Sequence, residues 1–257
     1  MHFRALMVAL AGAALLAGSV QAQTSAPAFL YSMPKLAPAH SAKIHVRVDA
    51  MKYDHMIPSE YTFCTADGHG GATAAANKNP SISWSKGPNG TQSYVVVVVY
   101  DTDSPAEHRE LMNQKGATLT KSVKRKIFFH MVLVDISANV MAVPEGAASN
   151  ERLLHGKPAS SIKVGVPAVN SYTAAFAAND AMKGMYYGYD GPCSPWNDEN
   201  VHHYHFTVYA LSVPSLGLTG EFSGETVVAA MKGKVLAQGQ FLGVYSTNPA
   251  VMAKLKK

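Results

Sequence analysis

The chain contains Gly191-Pro192-Cys193-Ser194-Pro195 and, after a short polar insert, His202-His203-Tyr204-His205-Phe206-Thr207-Val208-Tyr209-Ala210-Leu211. A rigid turn therefore runs into a segment of aromatic and β-branched residues, which is the composition of a strand. Strand side chains alternate faces, so His202, Tyr204, Phe206 and Val208 point one way and His203, His205, Thr207 and Tyr209 the other. Two upstream runs read in the same manner. Ser93 to Tyr100 is nearly continuous valine and ends in Asp101-Thr102-Asp103-Ser104-Pro105, while Phe128 to Ile136 carries His130 inside an apolar stretch. Such runs make poor helices and suit strands buried on both faces.

Lys43 to Val48 alternates, Gln238 to Tyr245 is a further strand, and turns fall at Gly87-Pro88-Asn89-Gly90 and Gly188-Tyr189-Asp190-Gly191-Pro192. The fold class is mainly β, an antiparallel sandwich with a few peripheral α-helices. Three helices are predicted, over Pro105 to about Lys115, Thr173 to Lys183 and Gly224 to Lys232. The first has its own punctuation: Ser104 as cap, Pro105 at the first position, Glu107 reaching back, and Gly116 as the left-handed stop. Residues 68–77, rich in Gly and Ala, read as a flexible insertion.

The chain opens with Met1-His2-Phe3-Arg4, an apolar run from Ala5 to Leu16, and Ala17-Gly18-Ser19-Val20-Gln21-Ala22. This is the layout of a secretory signal peptide over residues 1–22, and it implies export to the periplasm or beyond. An uncleaved anchor would need about 20 apolar residues, and the run breaks before that. Residues 23–257 then fit one domain, with a basic tail over 250–257. The 22 basic and 17 acidic side chains give a net charge of +5, part of which sits in the leader and in Lys254, Lys256 and Lys257. No stretch interleaves basic residues with stacking aromatics, so a nucleic-acid role is not indicated. Cys64 and Cys193 in an exported chain are predicted to pair. Two buried thiols lying apart is the alternative, since sequence does not show that the Cα atoms come within bridging distance.

In order and spacing these motifs resemble the phosphatidylethanolamine-binding protein family in its bacterial form. That family reads Asp-Pro-Asp-Ala-Pro, a His within an apolar strand, Gly-Pro-Cys-Pro-Pro and His-Arg-Tyr-x-Phe. The resemblance extends through Ile57-Pro58-x-x-Tyr61-Thr62, Pro80-Ser81-Ile82-Ser83-Trp84 and Val143-Pro144-Glu145-Gly146 to Tyr245. It implies a Greek-key-like β-sandwich and a pocket for phosphate-type anions or a phospholipid headgroup. Carried over by motif position, Asp101, His130, Pro192, His202 and Tyr204 form that pocket, and Asp103, Pro105 and Gly191 shape its wall. Thr102 and Ser194 stand where the family has prolines, and His203 where it has arginine. The stretch 106–126 is longer than the family's connection and is either a partner-binding loop or a solvated one.

A carboxylate beside an imidazole favours the imidazolium, so Asp101 is expected to hold His130 or His202 charged while Tyr204 offers a neutral donor. Charge-assisted hydrogen bonds of this kind contribute roughly 1.5–3 kcal/mol each. The plainer reading has Asp101 capping a turn, His130 satisfied in the core and Tyr204 anchoring a strand. The expected function is a non-enzymatic binding module that needs no cofactor, acting on small ligands or on a partner protein. Inhibition of a secreted hydrolase or protease is one alternative. A metal-dependent enzyme is another, because His203 and His205 share a strand face at a spacing that suits zinc, but no third ligand is evident. There is no Gly-x-Ser-x-Gly elbow, Walker loop or dinucleotide fingerprint.

Overall fold

A computed structural model describes residues 30–49, 51 and 55–255. The expected leader over residues 1–22 lies outside the described residues, as do Lys256 and Lys257. In chain order the strands are β1 (Val46–Val48), β2 (Cys64–Ala66), β3 (Ala72–Ala74), β4 (Ile82–Trp84), β5 (Ser93–Pro105) and β6 (Arg125–Ser137). They continue with β7 (Ala142–Val143), β8 (Gly156–Lys157), β9 (Val166–Pro167), β10 (Met185–Tyr186), β11 (His202–Leu211) and β12 (Val235–Tyr245). The helices are α1 (Tyr172–Ala175), α2 (Gly224–Ala230) and α3 (Pro249–Leu255). Among the described residues no helix is long and apolar enough to cross a membrane.

The principal sheet has the order β12-β11-β5-β6-β9, and a smaller one the order β1-β4-β7. All the pairings within both are antiparallel. The main core lies between them: Val48, Ile82, Trp84 and Val143 from the small sheet meet Val96, Met131, Leu133, Phe206 and Val208 from the large one. The large sheet's other face buries Tyr100, Phe129, Val132 and Tyr209 under Val227 and Val228 of α2. Leu30, Met33 and Leu36 of the N-terminal segment also pack there. Burial of β6 is almost unbroken along its length, as its continuous apolar run predicted.

Tertiary pairing overrides one local helix signal, and a second is cut short. Ser104 and Pro105 remain in β5, paired with Lys126 and Arg125, so Ser104 caps nothing. The expected helix reduces to a 3-10 turn at Arg109–Leu111, flanked by His108 and Asn113 at φ of 54° and 59°, left-handed values that an α-helix does not tolerate. Glu107 instead accepts the Lys124 N–H across the loop. Thr173 to Lys183 likewise shortens to α1 and a series of turns, whereas α2 forms where expected, capped by the Ser223 hydroxyl at the Thr226 N–H. Of Lys43 to Val48 only β1 is strand, Lys43 making an isolated bridge to Gln238. Residues 68–77, read as flexible, belong to the hairpin β2–β3 and its exit. Asp67 closes its tip by accepting the His69 and Gly71 N–H groups, and Asn77 is fully buried.

Cys64 and Cys193 form a disulfide with Cα atoms 5.0 Å apart. Beside it, the Phe63 and Cys64 N–H groups both donate to the Pro192 carbonyl. The bridge spans 129 residues of sequence. Loop-closure entropy for so long a loop gives a stabilisation of about 4–5 kcal/mol. The double variant Cys64→Ala/Cys193→Ala is therefore expected to unfold at clearly lower denaturant than wild type. An unchanged midpoint would show that the turn is held without the bridge.

Candidate functional site

Strands β5, β6 and β11 lie side by side, and their pairing gathers the sequence-predicted residues at one end of the sheet. Asp101 on β5 stands opposite Tyr204 on β11 and opposite Phe128 on β6. The ladders are irregular here, with register shifts between Asp101 and Ser104 and between His205 and Phe206. Such bulges re-aim side chains. On β6, Phe129 packs in the second core but Met131 in the first, so the alternation of faces breaks at His130, level with the shift between β11 and β5.

His202 is buried between two carboxylates. Its Nδ1 lies 2.6 Å from Asp101 Oδ2 and its Nε2 lies 3.2 Å from Asp198 Oδ2. Burial alone would discharge the ring, but the two carboxylates outweigh it and its pKa is pushed up to about 10. Asp198 is fully buried and takes a bidentate grip from Arg125 at 2.5 and 3.1 Å. Burial opposes its charge too, yet His202 and Arg125 hold its carboxyl below the usual range. The remaining N–H groups of Arg125 donate to the carbonyls of Val123, Asp103 and Thr120, so all five guanidinium donors are used.

His130 is arranged differently. Its Nδ1 is 2.6 Å from the Asp190 carbonyl, while Nε2 is buried and has no partner. Burial lowers its pKa despite the opposing influence of Asp101, which leaves a neutral ring. The Tyr204 hydroxyl is also buried and unpartnered. The His130 ring centroid lies 5.0 Å from that of Phe128, 5.4 Å from Tyr204 and 5.6 Å from Tyr172. Asp101, His130, His202 and Tyr204 thus form one cluster, and Phe128 is its partly exposed member.

The rim is tied down from several sides. Gly191 donates its N–H to Asn77 Oδ1 and accepts from the Tyr172 hydroxyl. A Cβ at Gly191 would stand 2.2 Å from the Tyr61 carbonyl, so glycine is required by this close approach. Pro192 is fixed through its carbonyl, and Pro105 is buried where β5 meets Arg125. Beneath the turn, Asp190 accepts from Lys157 at 2.6 Å and from Asn77 and Asn170 at 2.8 Å each. Asp190 also returns its backbone N–H to the His130 carbonyl, so one buried carboxylate organises both turn and histidine.

Asp103 is set apart from the cluster. It accepts the His203 N–H at 3.0 Å and meets His203 Nδ1 at 2.9 Å. Despite burial, that contact depresses the Asp103 carboxyl and raises His203. His205 stacks on Tyr100 with ring centroids 4.7 Å apart. The histidine pair considered for zinc is thus engaged with other partners, and among the described residues no group of three or more potential ligands is arranged for a metal. The stretch 106–126 is anchored to the site: Leu119 is fully buried and bridges Asp198, and Asn113 exchanges hydrogen bonds with the Trp196–Asn197 segment.

Sequence reasoning missed Asp198, Arg125 and Asp190 as organising groups. Asp198 sits four residues before His202 in the polar insert, and only a search for a second acidic neighbour of that histidine would have flagged it.

With this geometry in view, comparisons with known proteins agree. Residues 47–246 match the family model for phosphatidylethanolamine-binding protein. A UPF0098 protein of Aquifex aeolicus is 30% identical over 82% of this chain and 93% of its own length. UPF0098 protein YbcL of Escherichia coli is 26% identical over 80% of this chain and 90% of its own. The crystal structure of E. coli YbcL, described as a new member of the mammalian PEBP family, superposes with a TM-score of 0.55 and covers 80% of this chain and 99% of that one. The chain belongs to the phosphatidylethanolamine-binding protein family.

His202 gives a pH test. Its pKa is raised from the ordinary value near 6.5 to about 10, so its charge stabilises the fold fully below 6.5 and ceases to do so as pH climbs through 10. The variant His202→Gln leaves buried carboxylates short of a cation, at an expected cost on the order of 3–5 kcal/mol near neutral pH. That gap from wild type, measured by urea unfolding, is expected to narrow toward pH 10. A gap of constant size from pH 6 upward would show that His202 folds uncharged.

Proposed function

We propose that this protein is an exported binding module for a small phosphate-bearing headgroup of the phosphoethanolamine type, with no catalytic role. The observation that carries the reading is the pair of buried, unpartnered polar atoms, His130 Nε2 and Tyr204 Oη, set in one cluster with Asp101. Buried polar groups are ordinarily satisfied, and leaving one unmade costs on the order of 1–3 kcal/mol, which a ligand supplying the missing partner recovers. Family membership adds weight on the side of phospholipid-like ligands. Catalysis fits less well, because the one charged histidine of the cluster has both ring protons directed at carboxylates and none available for transfer. Export is supported by the leader-like N-terminus and by a disulfide, which persists in oxidising compartments.

Calorimetric titration with glycerophosphoethanolamine is expected to show saturable one-to-one binding, weakened about tenfold in Tyr204→Phe, the loss of one hydrogen bond. Absence of saturable heat in wild type would refute the binding reading. N-terminal sequencing of protein recovered outside the cytoplasm is expected to begin at Gln23, and recovery of an intact Met1 there would refute processing.

A further inference from the structure

The segment that precedes β1 builds a cleft at the opposite margin of the large sheet from β9. Leu36 and Ala37 pack against the second core, on one face of that sheet, and Ile44 is buried in the main core on the other. The chain between them therefore crosses the outer edge of β12. It turns at Pro38, whose carbonyl accepts the Ser41 N–H, and closes on the sheet where the Ile44 N–H donates to the Gln238 carbonyl. Gly239 permits this closure, since a Cβ there would stand 1.8 Å from the Ile44 carbonyl. Just beyond, His45 is held through both backbone groups: its N–H donates to the Ser85 hydroxyl and its carbonyl accepts the Ser85 N–H.

Between this strap and residues 238–240 of β12 lies a cleft of about 470 Å³. Small-molecule sites span roughly 300–1,000 Å³. Lys35, Lys43 and His45 line the cleft, all three exposed, and no aspartate or glutamate does. Among the described residues none of the three takes part in an ion pair. Cationic groups gathered in a concave surface without counter-charges concentrate anions there. Ser41 and Gln238 add neutral donors and acceptors, and Pro38 and Val46 add apolar surface. The cleft is separate from the Asp101 cluster, because Gln238 and Gln240 stand opposite Tyr209 and Thr207, whereas His202 and Tyr204 stand opposite Tyr245 and Gly243. Its outer wall, residues 35–46, also lies before the span 47–246 that matches the family model.

We propose that this cleft binds a small phosphorylated sugar or polyol, its phosphate held by Lys35 and Lys43 and its hydroxyls by Ser41 and Gln238. The proposal is independent of the headgroup reading. Inorganic phosphate would leave most of the volume to water, and an uncharged sugar would leave both lysines without a partner. A phosphorylated polyol meets both parts of the lining, its C–H faces lying on Pro38 and Val46. With the strap fixed on both sides of the sheet beforehand, the ordering cost of binding falls mainly on the two lysine side chains.

Calorimetry at low ionic strength with glucose 6-phosphate, glucose and inorganic phosphate tests this on the purified protein. Glucose 6-phosphate is expected to bind saturably and at least about tenfold tighter than either of the others, since each lacks one set of hydrogen bonds. The double variant Lys35→Glu/Lys43→Glu is expected to weaken that binding by at least about tenfold, the loss of a charged hydrogen bond. Both side chains are exposed, so the variant is expected to keep the wild-type urea midpoint. In nitrogen-15 NMR of the wild type, glucose 6-phosphate is expected to shift the backbone amides of Ser41, Ile44 and Gly239. No saturable binding of glucose 6-phosphate by wild type would overturn the proposal. Affinity that survives the double substitution, affinity no greater than that for inorganic phosphate, or shifts that leave those three amides unmoved would each overturn it as well.

Discussion

The histidinium of His202, held between Asp101 and Asp198, is the interaction on which the site depends. It joins three parts of the chain that share no local sequence: the end of β5, the polar insert before β11 and, through Arg125, the start of β6. A buried ion pair is weak evidence for stability by itself, since desolvation offsets much of the attraction. This one is extended into a four-member chain, Asp101, His202, Asp198 and Arg125, in which the charges balance and the guanidinium is fully hydrogen-bonded. Such a chain is costly to break at any member, and it therefore fixes the relative positions of three strand ends.

That fixation leaves the neighbouring neutral groups outside the ion-pair chain. With its charged members satisfied among themselves, the cluster presents His130 and Tyr204, neutral groups whose open positions are set by what lies behind them. Asp190 is decisive there, because its carbonyl selects the His130 tautomer while its carboxylate, neutralised by Lys157, anchors the Gly191-Pro192 turn. The disulfide at Cys193 and the hydrogen bonds to the Pro192 carbonyl hold the same turn from outside. On the proposed binding reading, a rim fixed beforehand loses little entropy when a ligand binds.

Much of this was legible in the sequence, and for identifiable reasons. The valine run of β5, the apolar stretch of β6 and the polar-ring alternation of β11 carry strand periodicity strong enough to set the fold class, and their motif order marks the family. Alternation also places His202, Tyr204, Phe206 and Val208 on one face, where Tyr204, Phe206 and Val208 belong to the main core. Asp103 is the exception among the predicted wall residues, because the register shift after Asp101 turns it toward His203. The helix predicted from Pro105 fails because continued pairing of β5 with β6 outweighs a local capping pattern. The stretch 106–126 reads in sequence as a partner-binding or solvated loop, yet it contains Arg125, the cation that braces Asp198. Arg125 and Asp198 pair across 73 residues of sequence and leave no local pattern, and Asp198, though only four residues before His202, lies in a polar insert outside the motifs, so the His202 strut was half visible, through Asp101, and half hidden, through Asp198.

The most direct measurement of this account is nitrogen-15 NMR of the histidine rings, which reports protonation and tautomer at each ring nitrogen. Near pH 8, about two units below the His202 pKa of about 10, His202 is predicted to carry protons on both nitrogens, and His130 to be neutral with its proton on Nδ1. A neutral His202 at that pH, or a His130 protonated on Nε2, would contradict the charge arrangement on which the rest depends.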